Sequence, residues 1–291
     1  MGTLAAIPET IWFDLVPRAG GAPYRIFLRI PPGEPPADGW PAIHLLDANA
    51  VIATTVEVLR VQAAYPLGTG IGDAVVVGIG YPAEGAYDSV RRSWDYGPPP
   101  GRSYPPHSEG GPEVRTGGAE TFLNFIEDEL KPAIASRVRL DAARQAIFGH
   151  SFGGLFVLYA LFTRPGAFRD WIAISPAIWW EEHNLLRFAP DGRLAVARSA
   201  RVLLGVGEYE QDLAPFQRGA ADAEQRSRRL QEAKTIDETR AMAGHLTEAG
   251  CDATFAVFEG ETHMSVLPVA INRAVRFAFG PQDGVDVGGE P

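Results

Sequence analysis

The sequence predicts an α/β fold in which helices cover both faces of a mostly parallel β-sheet. Short, continuous apolar runs, such as residues 74–79, are typical of parallel strands buried on both faces. These runs alternate with longer stretches whose apolar residues recur at helical spacing, a pattern that folds into a parallel sheet flanked by helices. The chain has 291 residues, of which 46% are hydrophobic. It can therefore bury one large core, and we expect a single domain over residues 1–280.

The expected strands are marked by apolar runs and by neighbouring turn residues. Residues 10–17 and 24–30 are expected to form a hairpin across Gly20 and Gly21. Six further segments have the composition of buried strands: 41–46, 74–79, 145–148, 171–175, 202–206 and 253–258. In a parallel sheet of this kind, functional side chains are expected beyond the carboxyl ends of the strands.

The expected helices and irregular segments fill the intervals between strands. Helical spacing predicts helices over residues 120–135, 155–162, 221–249 and 266–279, the third as one long helix. Residues 97–118 are dense in Pro, Gly and Ser, and they are expected to form a lid or a pocket wall. Residues 281–291 are expected to be a disordered tail.

The acidic composition argues against a nucleic-acid partner, because phosphate binding relies on clustered Lys and Arg and the net charge is -10. Cys251 is the single cysteine, which excludes intramolecular disulfides and multi-cysteine metal sites. Residues 181–183, Glu-Glu-His, are metal-ligand types, but adjacent residues seldom converge on one ion, so a solvated loop is favoured. No metal and no cofactor are therefore expected.

The amino-terminal residues carry no targeting signal that the sequence pattern identifies. Residues 1–20 have no basic leader region, and Glu9 and Asp14 interrupt their apolar residues. We therefore expect neither a signal peptide nor a membrane span, no membrane partner, and a cytoplasmic location.

A nucleophile elbow is indicated by residues 149–153, Gly-His-Ser-Phe-Gly. The motif lies between an expected strand and an expected helix, where a G-x-S-x-G turn projects its serine above the sheet. Ser151 is therefore the candidate nucleophile. The N–H of Phe152, at the start of the helix, is a candidate donor to an oxyanion.

The candidate base and acid follow the serine in the chain order that this architecture requires. Of six histidines, His263 lies in the loop between the last strand and the last helix, whereas His44 and His150 are interpreted as structural. Two carboxylates follow strand 202–206, and we rank Glu210 first and Glu208 second. The chosen carboxylate would accept the Nδ1–H of His263, fix its tautomer and stabilise the imidazolium.

A second oxyanion donor is expected from the loop that follows the third strand. We assign it to the amide of Ala48 and interpret Asp47 as a local turn cap.

Several segments together resemble one family of enzymes. They are Leu-Leu-Asp-Ala-Asn at 45–49, Arg-Arg-Ser-Trp-Asp-Tyr at 91–96, the elbow with Gly154, Ser-Pro-Ala-Ile-Trp-Trp at 175–180 and Gly-Glu-Tyr-Glu at 207–210. The sequence resembles the esterase D-like family of α/β-hydrolases, and within it the bacterial siderophore esterases that open catecholate trilactones. The resemblance implies the α/β-hydrolase fold and ester hydrolysis through an acyl-serine intermediate, without a metal or organic cofactor.

The sequence departs from this family at one position and leaves one role open. The family commonly has Gly where Ala48 stands, and alanine has less freedom for positive φ. Some siderophore esterases use a Ser-His pair without a close acid, which leaves the role of Glu210 open.

Four residues are candidates for substrate binding. Trp179 and Trp180 follow a strand and are expected to stack on an aromatic acyl group, with core packing as the alternative. Arg91 and Arg92 are expected to face an anionic ligand such as a ferric catecholate, with surface ion pairs as the alternative.

The sequence thus predicts a serine esterase that acts on a small-molecule ester, with a catecholate siderophore as the narrower prediction. Three alternatives stay open. They are a carboxylesterase or thioesterase of simpler acyl substrates, an acyltransferase that uses the same nucleophile, and a non-enzymatic ligand-binding protein.

Overall fold

The computed structural model describes residues 5–107, 109–189 and 200–281. The strands are β1 (Thr10–Leu15), β2 (Tyr24–Arg29), β3 (Trp40–Leu45), β4 (Val75–Gly80), β5 (Ser103–Tyr104), β6 (Val114–Arg115), β7 (Leu140–His150), β8 (Asp170–Ile174), β9 (Arg201–Tyr209) and β10 (Asp252–Thr262). The helices are α1 (Ala48–Ala63), α2 (Pro66–Thr69), α3 (Ser89–Tyr96), α4 (Ala119–Phe125), α5 (Lys131–Ala135), α6 (Phe152–Thr163), α7 (Trp180–His183), α8 (Ala223–Ala233), α9 (Thr235–Glu248) and α10 (Val266–Phe279). Apart from residue 281, the expected tail 281–291 lies outside the described residues.

A single large sheet organises the described part of the chain. Its eight strands run in the order β1-β2-β4-β3-β7-β8-β9-β10. The first two pairings, β1 with β2 and β2 with β4, are antiparallel, and all the others are parallel. The predicted α/β fold with a mostly parallel sheet is confirmed. All eight strands of this sheet were predicted, although their ends differ by a few residues.

Alternate residues of the central strands pack into opposite halves of the core. On β4, Val75 and Val77 belong to one apolar cluster together with Phe156 of α6. Val76 belongs to the other cluster, together with Ile271 of α10. The period of two along a strand therefore explains why a continuous apolar run forms here: both faces of the sheet are covered.

The expected helix 221–249 is wrong as a single helix. Lys234, with φ 45° and ψ 39°, lies between α8 and α9 in the left-handed region, and its N–H donates to Leu230 O. A left-handed residue of this kind ends a helix. Helix α9 packs on β9 and β10, whereas none of the residues of α8 is buried. The break therefore frees α8 from the core.

Three further regions refine the predictions. Helix α1, beyond β3, was not assigned from the sequence. The expected helix 120–135 contains a π-helical turn at Ile126–Leu130 between α4 and α5. Within the irregular segment 97–118, β5 and β6 form a short antiparallel hairpin.

His44 is a buried neutral histidine on the central strand β3. It is 0% exposed, its Nδ1 lies 3.3 Å from Ala146 O, and its ring meets the Phe168 ring edge to face at 5.1 Å. Burial, together with the nearby charge of Lys131, lowers the pKa of His44 to about 3. Protonation of His44 therefore opposes folding.

This lowered pKa predicts an acid-sensitive contribution to stability. An unfolded histidine titrates near pH 6.5, so between about pH 6.5 and 3 the unfolded chain binds a proton that native His44 does not. Stability is therefore lost as the pH falls through this window. We expect His44→Gln to lose less stability than the wild type between pH 7 and 4.5, by on the order of 2 kcal/mol. Urea unfolding at each pH measures the difference, and equal losses in both proteins would contradict it.

Candidate active site

The nucleophile elbow forms at the junction of β7 and α6. Ser151 has φ 58° and ψ -114°, a strained conformation for a residue with a side chain. Its N–H donates to Ile174 O at 2.9 Å, which fixes the turn on β8. Gly149 lets the strand approach the helix, because a Cβ there would collide with the Gly153 carbonyl. The sharp turn places the Ser151 side chain beyond the carboxyl end of β7.

Three side chains form a hydrogen-bonded relay at this end of the sheet. Ser151 Oγ lies 3.0 Å from His263 Nε2, and His263 Nδ1 lies 2.7 Å from Glu210 Oε2. With Nδ1–H donating to the carboxylate, Nε2 is free to accept the hydroxyl proton of Ser151. The first distance suits proton transfer from the nucleophile to its base, and the second suits a hydrogen bond from the base to an orienting acid.

Glu210 is buried and fully bonded, whereas Glu208 faces outward. The Glu210 side chain is 1% exposed, and its Oε1 accepts hydrogen bonds from Ser175 Oγ at 2.5 Å and Gly207 N–H at 2.7 Å. Glu208 Oε2 instead accepts from Gly260 N–H at 2.7 Å. Of the two carboxylates that the sequence offered, the structure brings Glu210 to His263.

His150 supports the histidine loop, a contact that the sequence did not reveal. Its Nε2 lies 2.7 Å from the carbonyl oxygen of His263. Burial, together with the neighbouring His263 ring, lowers the pKa of His150 to about 3. His150 therefore stays neutral at ordinary pH, and its Nε2–H holds the backbone of the residue that faces Ser151.

The two candidate oxyanion donors are the first residues of two helices. Phe152 begins α6 and Ala48 begins α1, and the first N–H groups of a helix have no partner within it. The left-handed conformation in the loop before α1 falls on Asp47, with φ 51°, and not on Ala48. Alanine in the place of the family's glycine is therefore compatible with this backbone.

Arg91 and Arg92 do not line the cavity beside Ser151, so the structure gives no support to their predicted contact with substrate. Arg91 donates to Pro23 O at 2.8 Å and to Ala22 O at 3.0 Å. Arg92 forms a bidentate ion pair with Asp47, with Nε 3.0 Å from Oδ1 and Nη2 2.8 Å from Oδ2. Both guanidinium groups are occupied by protein acceptors.

A cavity of about 910 Å³ opens beside Ser151 and His263. Trp179 and Trp180 both line it, and their stacking on an aromatic acyl group stays a prediction. The Trp180 ring meets Phe152 edge to face at 4.9 Å, so it packs directly on the elbow. The Trp179 side chain is 37% exposed and forms the more open part of the wall. A pocket of this size accommodates a ligand much larger than a short acyl ester.

The hairpin of β5 and β6 forms one wall of the cavity through Arg102 and Tyr104. Tyr104 OH donates to Glu181 Oε1 at 3.0 Å, and Arg102 pairs with Glu182 at 2.5 Å. These bonds attach the segment 97–118 to α7. Residues 181–183, interpreted from the sequence as a solvated loop, therefore contribute to the cavity wall while Glu182 stays exposed.

Helix α8 supplies a second cation that the sequence did not single out. Arg229 lines the cavity, and it forms no ion pair within 4 Å in the described part of the chain. Its position depends on the end of helix α8 at Lys234. The helical spacing of residues 221–249 does not predict that the helix ends there.

The fold and the site together define an α/β-hydrolase with a Ser-His-Glu relay at its nucleophile elbow. Residues 18–267 match the family model described as "Putative esterase". The chain belongs to this esterase family, and it is a serine hydrolase that acts on carboxylic esters.

Several relatives are siderophore esterases by name. The chain is 41% identical over 263 residues to the ferri-bacillibactin esterase BesA of Bacillus subtilis, covering 89% of this chain and 85% of the relative. It is 34% identical to a siderophore triacetylfusarinine C esterase of Aspergillus fumigatus, covering 82% and 81%.

Solved structures agree with the fold. The BES protein from Bacillus cereus superposes with a TM-score of 0.82 at 29% identity, covering 97% of this chain and all (100%) of that one. The siderophore hydrolase EstA from Aspergillus nidulans has a TM-score of 0.77 at 30% identity, covering 95% and 98%. Among the described residues, no helix combines the length and the apolar character needed to cross a membrane.

Proposed function

We propose that this esterase hydrolyses siderophore esters, with a catecholate trilactone as its substrate. One observation carries the proposal: the Ser151–His263–Glu210 relay opens into a cavity of about 910 Å³ walled by Trp179 and Trp180. The names of its relatives support the same substrate class.

In the proposed mechanism, Ser151 Oγ attacks the ester carbonyl while His263 Nε2 takes its proton. The amides of Phe152 and Ala48 hold the negative charge that develops on the carbonyl oxygen. The protonated His263, stabilised by Glu210, then gives its proton to the leaving alcohol. Water attacks the acyl-serine with His263 as base, which releases the acid and regenerates Ser151.

Aromatic and cationic side chains around the cavity support a catecholate substrate. Trp179, Trp180 and Tyr104 offer ring faces or edges against which catechol rings can pack. Arg102 and Arg229 offer positive charge to a ferric catecholate. Arg229 is the better candidate, because the charge of Arg102 is already paired with Glu182.

The net charge of the chain limits how arginines can attract a ferric catecholate. The chain carries a net charge of -10, which opposes long-range attraction of an anionic substrate. Glu181, Glu182 and Glu232 also line the cavity. Any preference for the ferric substrate must therefore come from direct contact with an arginine.

Arg229→Gln tests this contact. We expect the ratio of kcat/KM for a ferric catecholate trilactone to that for an aryl acetate to fall about tenfold, as for a lost charge-assisted bond. Arg228→Gln, one position along the same helix and outside the cavity, is the matched control. The wild-type preference should also shrink as the salt concentration rises.

The contradicting results are equally specific. If Arg229→Gln leaves the ratio of the two kcat/KM values unchanged, Arg229 does not bind the ferric substrate. Equal kcat/KM for the trilactone and the aryl acetate in the wild type would leave a general carboxylesterase or thioesterase. Transfer of the acyl group to an added alcohol or sugar, in place of water, would indicate an acyltransferase.

The cytoplasmic location and the lack of a nucleic-acid partner stay predictions within this proposal. Cell fractionation with an antibody against the chain tests the location.

A further inference from the structure

Asp47 adopts an unfavourable backbone conformation immediately before a proposed oxyanion donor. Its φ of 51° and ψ of 44° lie in the left-handed region, which is uncommon and unfavourable for a residue with a side chain, although Asp adopts it more readily than most. The N–H of Ala48 belongs to the peptide unit that follows Asp47. Because a peptide unit is planar, the ψ of Asp47 and the φ of Ala48 set the direction of this N–H.

Two side chains of α3 hold Asp47 in this conformation. The Tyr96 hydroxyl accepts a hydrogen bond from Asp47 N–H at 3.1 Å and lies 3.3 Å from Asp47 Oδ1, to which it donates. Arg92 bonds to both carboxylate oxygens through Nε and Nη2. Asp47 and Tyr96 are 4% and 0% exposed, so water does not compete for these bonds.

The same carboxylate faces the nucleophile elbow. A Cβ atom placed on Gly153 would lie 3.6 Å from Asp47 Oδ2, so this glycine of α6 lies next to the Asp47 carboxylate. Asp47 therefore lies between the two helix starts whose amides, Ala48 and Phe152, are proposed to face the oxyanion.

We propose that Arg92, Asp47 and Tyr96 form a buried clamp that aims the N–H of Ala48 at the oxyanion, with Tyr96 and Arg92 as positioning residues. The clamp rests on the proposed acyl-serine mechanism. In this proposal, residues 92–96, Arg-Ser-Trp-Asp-Tyr, orient the N–H of Ala48 and do not contact the substrate. The clamp also explains why Arg92 lies near the Phe152 ring, at 6.0 Å, without lining the cavity.

Tyr96→Phe tests the clamp, because it removes the only group that bonds both the amide and the carboxylate of Asp47 within the described residues. We expect kcat for an aryl acetate to fall about tenfold to a hundredfold. This fall should not exceed the one caused by removing an oxyanion donor altogether. KM should stay within about twofold, because ground-state binding does not use this amide.

An aryl boronic acid provides the second readout. It forms a tetrahedral adduct on the nucleophilic serine whose oxygen occupies the oxyanion position, so its affinity should fall in parallel with kcat. Tyr24→Phe is the matched control: Tyr24 is also a buried phenol, but it donates to Asp95 and not to Asp47. This variant should keep the wild-type kcat and boronate affinity. Thermal unfolding shows whether Tyr96→Phe is folded. If it is not, kcat and boronate affinity are measured in Asp47→Asn instead.

The outcomes separate the clamp from the proposed function. If the wild type turns over ester, Ser151→Ala does not, and folded Tyr96→Phe matches Tyr24→Phe in kcat and boronate affinity, the clamp is wrong and the mechanism stands. A fall in kcat with unchanged boronate affinity also overturns the clamp. If Ser151→Ala is active, the proposed mechanism itself fails.

Discussion

Ser151→Ala is expected to lower kcat by about 10⁶ while the protein stays folded. The relay acts as a unit, so removing the nucleophile leaves His263 with no proton to accept. The side chain of Ser151 bonds to His263 and contributes little to the core, so the loss of Oγ is a loss of chemistry. Initial rates with a short aryl ester measure the effect.

The control for this variant is a serine outside the site. Ser136→Ala removes an exposed hydroxyl that bonds only to Ala133 O, and it should retain the wild-type rate. Thermal unfolding should be close to wild type for both variants. A Ser151→Ala protein with substantial turnover would contradict the proposed mechanism.

Glu210→Gln is expected to lower kcat by about 10³ to 10⁴. Glu210 Oε1 accepts from the backbone N–H of Gly207, which can only donate. A glutamine must therefore keep its carbonyl oxygen on Gly207 and turn its NH₂ toward His263 Nδ1. That contact favours the histidine tautomer with the proton on Nε2, which cannot accept the proton of Ser151.

Glu208→Gln is the matched control, because it keeps an oxygen that accepts from Gly260 N–H. It should change kcat by less than about twofold, because an exposed side chain that does not contact the relay has little effect on catalysis. The two variants measured side by side decide the acid. Equal and small effects would indicate a Ser-His pair that works without Glu210, and a reversed order would move the role to Glu208.

The parts of the site that were predictable depend on local sequence. A G-x-S-x-G motif between a strand and a helix specifies its own turn, because glycine is needed where strand and helix backbones touch. The loop after β10 and the carboxylates after β9 follow from the order of elements in a parallel sheet. Ser151, His263 and Glu210 could therefore be named before their distances were known.

Contacts between distant segments could not be read from the sequence. Arg92 meets Asp47 across 45 positions, and Arg102 meets Glu182 across 80. Neither pairing produces a periodic or compositional pattern in the sequence, so the sequence alone does not predict the partner of Arg92 or of Arg102. The same holds for Arg229, whose place at the cavity depends on a single left-handed residue, Lys234.

The backbone before α1 also depends on distant contacts. Alanine at position 48 has less freedom for positive φ than glycine, but the left-handed residue is Asp47, so this position does not need that freedom. The conformation persists because tertiary contacts with Arg92 and Tyr96 hold it, and these contacts come from α3.

Labelling with a fluorophosphonate, followed by peptide mass mapping, tests the central claim most directly, because this reagent requires an activated serine. We expect one adduct per chain, on Ser151, in the wild type and in Glu208→Gln. We expect no adduct in Ser151→Ala and much slower labelling in His263→Ala and Glu210→Gln. An adduct on another residue, or undiminished labelling of Ser151→Ala, would contradict the claim that Ser151, activated by His263, is the nucleophile of this esterase.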